Sequence, residues 1–376
     1  MRRTIRSILD AATFFGLPRE QRQIVFYSEG TSYWAHLEKL LGAVLESGTV
    51  NVCYISSQHD DPGLQLRHDR LRTFQTDTGW VRNWLFENMQ CDVMVMTMPD
   101  LDQFQVKRSR HQVHYVYVQH SLVSLHMAYR DHAFDGFDTL FCAGPHHIKE
   151  ARALEALDKL PPKNLVEHGY ERLDRILDGE EVTAAKDKNQ PIHVLLAPSW
   201  GPQGVIEIAG KQLAGILLDR GFGVTVRPHP QTSRLSGDRV DAICSAYGSH
   251  PLFALDTDVA GETSLRQADL MISDWSGAAL DFAFGLEKPV LFIDGPRKVN
   301  NPRYEEIDIE PFEVFVRDQV GKLLPRDELE RAPDAIEALV REHSGSHIAD
   351  VRDASVFNVG SSASAGAKAL AQLLSN

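Results

Sequence analysis

The sequence predicts an α/β protein of two Rossmann-like domains; parallel sheets facing each other across a central cleft are, on pattern alone, one option among several two-domain α/β folds. Three observations predict the two domains. Strand-like apolar runs alternate with helix-like runs from end to end, the pattern of a parallel sheet covered by helices on both faces. A charged, poorly patterned stretch from Leu177 to Pro191 falls at mid-chain. The alternation then restarts. Residues 1–180 and 191–376 are therefore read as two domains of ordinary size joined by that linker.

The elements follow in order. In the first half the strand candidates are Ile24–Tyr27, Val50–Ile55, Val93–Met96, Val113–Val118 and Thr139–Cys142. A helix over Tyr33–Glu46 is expected between the first two, because Leu37, Leu40, Leu41, Val44 and Leu45 share one face. In the second half the strand candidates are Ile192–Ala197, Val224–Arg227, Leu270–Ser273 and Val290–Ile293, with a helix over Val205–Leu218. At the N-terminus, Ile5, Ile8, Leu9 and Ala12 recur at helical spacing beside Arg2, Arg3 and Arg6. Two readings of this helix stay open: a plain capping helix with solvated arginines, and an interfacial helix on anionic lipid.

Bulk properties narrow the class. Apolar residues are 43% and charged residues 24% of 376, as in a globular protein. The net charge of −13 argues against general nucleic-acid binding. Cys53, Cys91, Cys142 and Cys244 form no metal spacing and no C-x-x-C pair, so free thiols in a reducing cytoplasm are expected. The basic N-terminus lacks the apolar core of a secretory signal, and no run approaches the roughly 20 apolar residues that span a bilayer. G-x-G-x-x-G after the first strand, the P-loop and G-x-S-x-G are all absent, which weakens a dinucleotide cofactor, a P-loop nucleotidase and an ordinary α/β-hydrolase.

The strongest constellation is Ser273-Asp274-Trp275-Ser276-Gly277, between an apolar strand and a helix that carries Asp281. Open α/β sheets bind ligands at such strand ends. Backbone N–H groups at the helix start and the hydroxyls of Ser273 and Ser276 form a phosphate seat, while Gly277 lets a ligand approach the backbone. The plain alternative is an N-cap by Asp274 or Ser276. Asp281, among apolar residues, needs a partner.

Further strand ends carry histidines. In Arg227-Pro228-His229-Pro230 two prolines fix an imidazole that can bond a phosphate oxygen or move a proton. In Gln119-His120-Ser121 a strand of the first half ends likewise, placing His120 across a central cleft from His229. Ser199 and Trp200, after Ala197-Pro198, can bond a phosphate or stack a base, and Gly30-Thr31 after the first strand is a similar turn on the opposite side. His126 and His132 read as solvated. His146-His147 has no third ligand at metal spacing, so no metal is expected.

In this order the motifs resemble the CDP-glycerol glycerophosphotransferase family, the teichoic acid and capsule polymerases and primases of GT-B fold. Gln119-His120-Ser121-Leu122 resembles the family's His-Gly-Thr, Gly169-Tyr170-Glu171-Arg172-Leu173-Asp174 its Gly-x-Pro-Arg-x-Asp, and Ala197-Pro198-Ser199-Trp200 its Ala-Pro-Thr-Trp. Pro228-His229-Pro230 matches its Pro-His turn, and Ser273–Gly277 with Asp281 its Ser-Asp-Tyr-Ser-Ser and downstream Asp. Ser121, Trp275 and Gly277 depart from it, as does the stretch Arg297–Pro311.

The resemblance implies a CDP-linked donor used as substrate, no cofactor, and CMP release as an acceptor hydroxyl attacks the β-phosphorus. The second domain would bind the donor through Arg227, Ser273, Asp274, Ser276, Gly277, Asp281, Ser199 and Trp200, with His229 and Arg227 neutralising charge. The first would hold a polyol or glycan acceptor, lipid-linked in one version, near Gly30, Thr31 and Ser121, with His120 as general base. Such an enzyme would be cytoplasmic, working in envelope or capsule synthesis at the inner membrane face. Rival readings are a glycosyltransferase or epimerase using another nucleotide sugar, and a non-catalytic nucleotide-binding subunit.

Overall fold

The computed structural model describes residues 2–48, 50–179, 190–258 and 261–375. The middle of the expected linker, residues 180–189, lies outside them. Leu177 and Asp178 instead close a helix, Glu171–Asp178.

The first sheet contains β1 (Ile24–Ser28), β2 (Val52–Ser56), β3 (Leu71–Gln75), β4 (Val93–Met96), β5 (His114–Val118), β6 (Thr139–Cys142) and β7 (Asn164–Glu167). Its order is β3-β2-β1-β4-β5-β6-β7, all parallel. The second contains β8 (His193–Leu196), β9 (Gly223–Val226), β10 (Phe253–Leu255), β11 (Leu270–Ser273), β12 (Val290–Asp294) and β13 (Gly321–Pro325). Its order is β10-β9-β8-β11-β12-β13, again all parallel. Strand order reverses between β1 and β4 and between β8 and β11, so each sheet opens a ligand crevice at those carboxyl ends.

The sequence pattern finds every interior strand and misses β3, β7, β10 and β13, which are the edges of the two sheets. The reason is burial. The central β1 and β2 are buried at all five positions, which reads as an unbroken apolar run. The edge β7 has no buried residue, and β10 is half-buried at one position and exposed at two, so neither shows an apolar run.

The expected Tyr33–Glu46 helix is two pieces, Thr31–Trp34 and Glu38–Glu46. Short-range bonds from His36 N–H to the Tyr33 carbonyl and from Leu37 N–H to the Trp34 carbonyl, both 3.0 Å, tighten the chain between them. The second-half helix runs Val205–Asp219, one residue longer than its pattern. Cys53, Cys91 and Cys142 are buried free thiols and Cys244 is half-buried. No helix among the described residues is long and apolar enough to cross a membrane.

Two helical joints help tie the domains. The Ala278–Leu286 helix of the second domain packs on Glu171–Asp178 of the first. The approach is close: a Cβ on Gly285 would lie 2.5 Å from Ile176 Cγ2. The chain end forms the other joint. The expected second domain ran to residue 376, but the Ser362–Ser375 helix lies on the first domain, with Ala369 and Leu370 in the core beside Leu40 and Leu41. A helix exposing one apolar stripe goes wherever a matching face is left uncovered, which sequence order does not dictate. The buried Asp174 carboxylate holds this return, accepting from Gly360 N–H, Ser362 N–H and Ser362 Oγ–H. Asp174→Ala is expected to lower the unfolding free energy by roughly 3 kcal/mol or more, since it strands three donors of charge-assisted bonds. Urea denaturation would show it, and an unchanged midpoint would contradict this role.

Candidate functional site

The turn after β11 divides its labour residue by residue. Ser273 is fully buried and its Oγ donates to the Ala197 carbonyl at 2.9 Å, pinning β11 to the end of β8. Asp274 turns inward too: Oδ1 accepts from Ser199 N–H at 2.6 Å and Oδ2 from Val205 N–H at 3.3 Å. These two side chains build the turn rather than face a ligand. The Trp275 indole donates to the Gly295 carbonyl at 3.3 Å, and the Arg317 guanidinium stacks 3.7 Å from its ring centroid. Ser276, Gly277 and Ala278 face the cleft, presenting a hydroxyl and the start of the Ala278–Leu286 helix. The expected phosphate seat thus narrows to Ser276 and the backbone beyond it; Ser276 Oγ also accepts from Ala278 N–H at 3.4 Å, a bond of the capping kind that was the plain alternative.

Gly277 meets the other domain. A Cβ there would stand 2.4 Å from Ser121 Oγ. The Ser121 side chain of the first domain thus fills the space that a side chain at Gly277 of the second would take.

Burial disfavours the charged form of His229 and His120, the two cleft histidines the sequence singles out. His229 caps the Pro230–Leu235 helix, its Nδ1 accepting from Gln231 N–H at 3.1 Å. The neutral ring therefore carries its proton on Nε2, as a donor. Burial first, and then the Lys298 charge, push its pKa down to about 4. His229 therefore presents a neutral N–H donor to the cleft. His120 lies opposite, hydrogen-bonded through Nδ1 to the Tyr117 hydroxyl at 2.9 Å, with the rings of Tyr33 and Tyr129 edge-on at 5.8 and 5.6 Å. Burial pushes its pKa down to about 4, against a bond to the Thr97 carbonyl.

The cations come from elsewhere. Arg227 is held inside its own domain, donating to the Gly261 carbonyl at 3.0 Å and to Ser264 Oγ at 3.3 Å, with Asp256 3.9 Å away. It lines only a small recess of about 80 Å³ behind the main cleft. Arg172 enters from the first domain, and its Nε donates to Asp281 Oδ2 at 2.6 Å. This is the partner that Asp281 requires. Burial raises the Asp281 pKa, while Arg172 pulls it back. Lys298 stands beside His229 over the Trp200 ring, Nζ 4.4 Å from the centroid, its pKa lowered by burial. Arg172, Asp281, Lys298 and His229 line, with His120 and Ser276, an interdomain cleft of about 470 Å³.

On the first domain's side the pattern points two residues early. Gly30 adopts φ 153°, and Thr31 N–H bonds Gln58 Oε1 at 3.1 Å, so this pair shapes the turn. Ser32, Tyr33 and His36 reach the cleft instead. Ser199 is buried under Asp274, and Trp200 stands at the rim, 36% exposed. His126 is buried rather than solvated: its Nε2 bonds the Ile309 carbonyl at 3.1 Å, with Glu150 3.4 Å from Nδ1. His132 is half-buried beside Asp135 at 2.9 Å. His146 and His147 clamp the loop behind Ser121 through the carbonyls of Leu122 and Val123, at 3.0 and 2.9 Å.

Further residues that sequence reasoning did not assign to the site are Arg172, Lys298 and Glu313. Arg172 stood in the quoted Gly169–Asp174 segment. Lys298 stood in the departing stretch Arg297–Pro311, which crosses to the first domain: Asn300 N–H bonds the Met127 carbonyl at 3.0 Å, and Arg303 pairs with Asp131 and Asp158 at 3.0 and 2.9 Å. Glu313 follows it, accepting from Ser124 N–H and Oγ–H at 2.7 and 2.9 Å.

No protein-family model matches this sequence, and no curated protein does. Solved structures do. The wall teichoic acid polymerase TagF superposes with a TM-score of 0.58 at 12% identity, covering 100% of this chain and 98% of that one. UDP-N-acetylglucosamine 2-epimerase from Neisseria meningitidis, bound to UDP-GlcNAc, gives 0.58 at 11%, covering 94% and 99%. The chain has the GT-B fold. Sucrose-phosphate synthase from Thermosynechococcus elongatus shares it, with 0.57 at 14% and coverage of 94% and 99%. At these identities the likeness is one of architecture.

Two outcomes test this geometry. Gly277→Ala is expected to cost roughly 1–3 kcal/mol through the clash with Ser121, and Ser121→Ala in the same chain should recover most of it. Additive losses in a double-mutant cycle would count against the contact. In NMR titrations the rings of His120 and His229 should stay neutral well below the ordinary 6.5, titrating near the shifted value of about 4. An inflection near 6.5 for either ring would contradict its burial.

Proposed function

We propose that the chain is a transferase that takes a nucleotide-diphosphate-linked donor in the interdomain cleft. Its reaction moves glycerol phosphate, or a related alditol or sugar phosphate, from a CDP-linked donor to an acceptor hydroxyl in cell-envelope or capsule polymer synthesis. The observation that carries this reading is the meeting, in one cleft, of a helix start at Ser276–Ala278, the cations Arg172 and Lys298, the Nε2–H donor of His229 and a neutral imidazole, His120, opposite.

The chemistry follows from charge. Phosphoryl transfer depends mainly on positioning and on neutralising developing charge. The backbone at Ser276–Ala278 and the Ser276 hydroxyl hold phosphate oxygens. His229 donates one hydrogen bond, and Lys298 and Arg172 supply positive charge. The acceptor oxygen forms the new bond to the β-phosphorus as the bond to the bridging oxygen breaks, and CMP leaves with that electron pair. The acceptor proton passes to His120. Its lowered pKa makes it a weak base, but a bound diphosphate would favour the imidazolium and raise it. A polyol or glycan acceptor, lipid-linked in membrane-bound polymer synthesis, would enter past Ser32, Tyr33 and His36.

A glycosyltransferase or epimerase using another nucleotide sugar is the second reading. The similarity to UDP-GlcNAc epimerases, equal in degree to that with TagF, favours it. Thermal shift with CDP-glycerol, other CDP-alditols, and CMP-, UDP- and GDP-linked donors separates the two, because a ligand of the folded state raises the midpoint by mass action. CDP-glycerol should give the largest shift, and Lys298→Ala should weaken it roughly tenfold in Kd, about 1.4 kcal/mol. His120→Ala should then lower turnover by about 10²–10⁴-fold. A shift with UDP-linked donors alone, or a glycosidic product, would overturn the CDP-linked reading.

A further inference from the structure

The strap that carries Lys298, Arg297–Pro311, is fastened to one short segment of the first domain. Asn300 N–H donates to the Met127 carbonyl at 3.0 Å, and Asn300 Nδ2 to the Ala128 carbonyl at 2.7 Å. Arg303 pairs with Asp131, and Glu313 just beyond the strap accepts from Ser124. His126 lies in the middle of these contacts, on the short helix Leu125–Ala128. The residues after it, Met127, Ala128 and Tyr129, line the cleft together with Lys298.

The His126 ring is fully buried, and each of its nitrogens faces an acceptor. Nε2 is 3.1 Å from the Ile309 carbonyl of the strap, and a carbonyl only accepts, so Nε2 carries a proton. Nδ1 is 3.4 Å from Oε2 of Glu150, which is fully buried as well and also accepts from Leu125 N–H. A neutral ring with its proton on Nε2 would turn the Nδ1 lone pair towards that carboxylate. The imidazolium serves both acceptors and sets opposite charges together. The other titratable groups around the pair are Glu313 on the Phe312–Phe315 helix, His147 on the Pro145–Asp158 helix with Glu150, and Tyr304, whose ring lies 6.5 Å from that of His126. Burial pushes the His126 pKa down, but Glu150, the Ile309 carbonyl and Glu313 together hold it above the ordinary 6.5.

We propose that His126 is a positioning residue: its imidazolium, held by Glu150, clasps the strap at Ile309 and so sets Lys298 in the cleft. The link to Lys298 rests on the reading that this lysine meets the donor, whereas the clasp itself does not. Protonation of His126 and binding of the donor then favour each other reciprocally. The sign follows from the raised pKa. The clasp is complete below the ordinary 6.5 and is lost as pH rises through the higher folded value. Its loss leaves Glu150 buried without a counter-charge.

Two measurements on the full chain test this. Without any ligand, hydrogen exchange reads the clasp: protection factors of the Asn300 and Asn301 amides should fall roughly fivefold or more as pH rises through the His126 titration. His126→Gln should lack that step. In NMR the His126 ring should titrate above 6.5 in the wild type, and lower in Glu150→Gln, which keeps the shape and removes the charge. The Kd for CDP-glycerol should weaken by a similar factor over the same pH range and in His126→Gln, but His126→Gln should add nothing in a Lys298→Ala background. Burial also holds the Lys298 pKa below its ordinary 10.5, and His126→Gln removes only the step that belongs to the ring. Protection that does not change through the titration, a His126 ring that titrates below 6.5, or an equal loss of affinity from His126→Gln with and without Lys298 would overturn the proposal. An exchange step without any binding of CDP-glycerol would support the clasp and count against the donor reading.

Discussion

The buried pair of Arg172 and Asp281 is the contact on which the site depends. Each residue comes from a different domain, and each stands on a helix packed against the other's. Removing one partner of such a pair strands a buried charge, at a cost of about 3–5 kcal/mol. The pair therefore fixes how the sheets face each other. Gly285 lets the two helices close to that distance, and Gly277 lets the Ser276 turn come up against Ser121. The cleft's width, and the separation of His229 from His120, follow from this joint.

The joint also explains how charge is distributed. Burial between two domains drives the imidazoles neutral, since desolvation disfavours their charged form. A neutral histidine can orient and exchange a proton but cannot balance phosphate charge. Positive charge at the cleft comes instead from Arg172, which Asp281 holds, and from Lys298, which arrives on a loop strapped to the first domain through Asn300 and Arg303. The same loop leads to Glu313, whose carboxylate accepts from Ser124 on the first domain. One segment of the second domain thus shapes both walls.

Legibility in the sequence tracked burial. Interior strands are apolar at most positions because helices cover both faces of each sheet, and they could be read to within a residue or two. Edge strands such as β7 and β10 have no such constraint and left no periodic mark. At the site, the strand-end turns were legible because Pro, Gly, Ser and His in them break the apolar pattern. Which of their side chains faces a ligand was not. Ser273 and Asp274 look like ligands in the sequence but are bonded to the next strand's loop. Gly30 and Thr31 likewise shape a turn whose neighbours Ser32 and Tyr33 reach the cleft.

By itself, then, the sequence determined two parallel-sheet halves, the strand-end turns and the presence of His120 and His229 at them. These depend on local periodicity and on residues that terminate a strand. Only the tertiary structure decided the partner of Asp281, the neutrality of the histidines, the meeting of Ser121 with Gly277, and the return of the last helix to the first domain. Those are contacts between residues far apart in the chain, and no local pattern carries the distance between them.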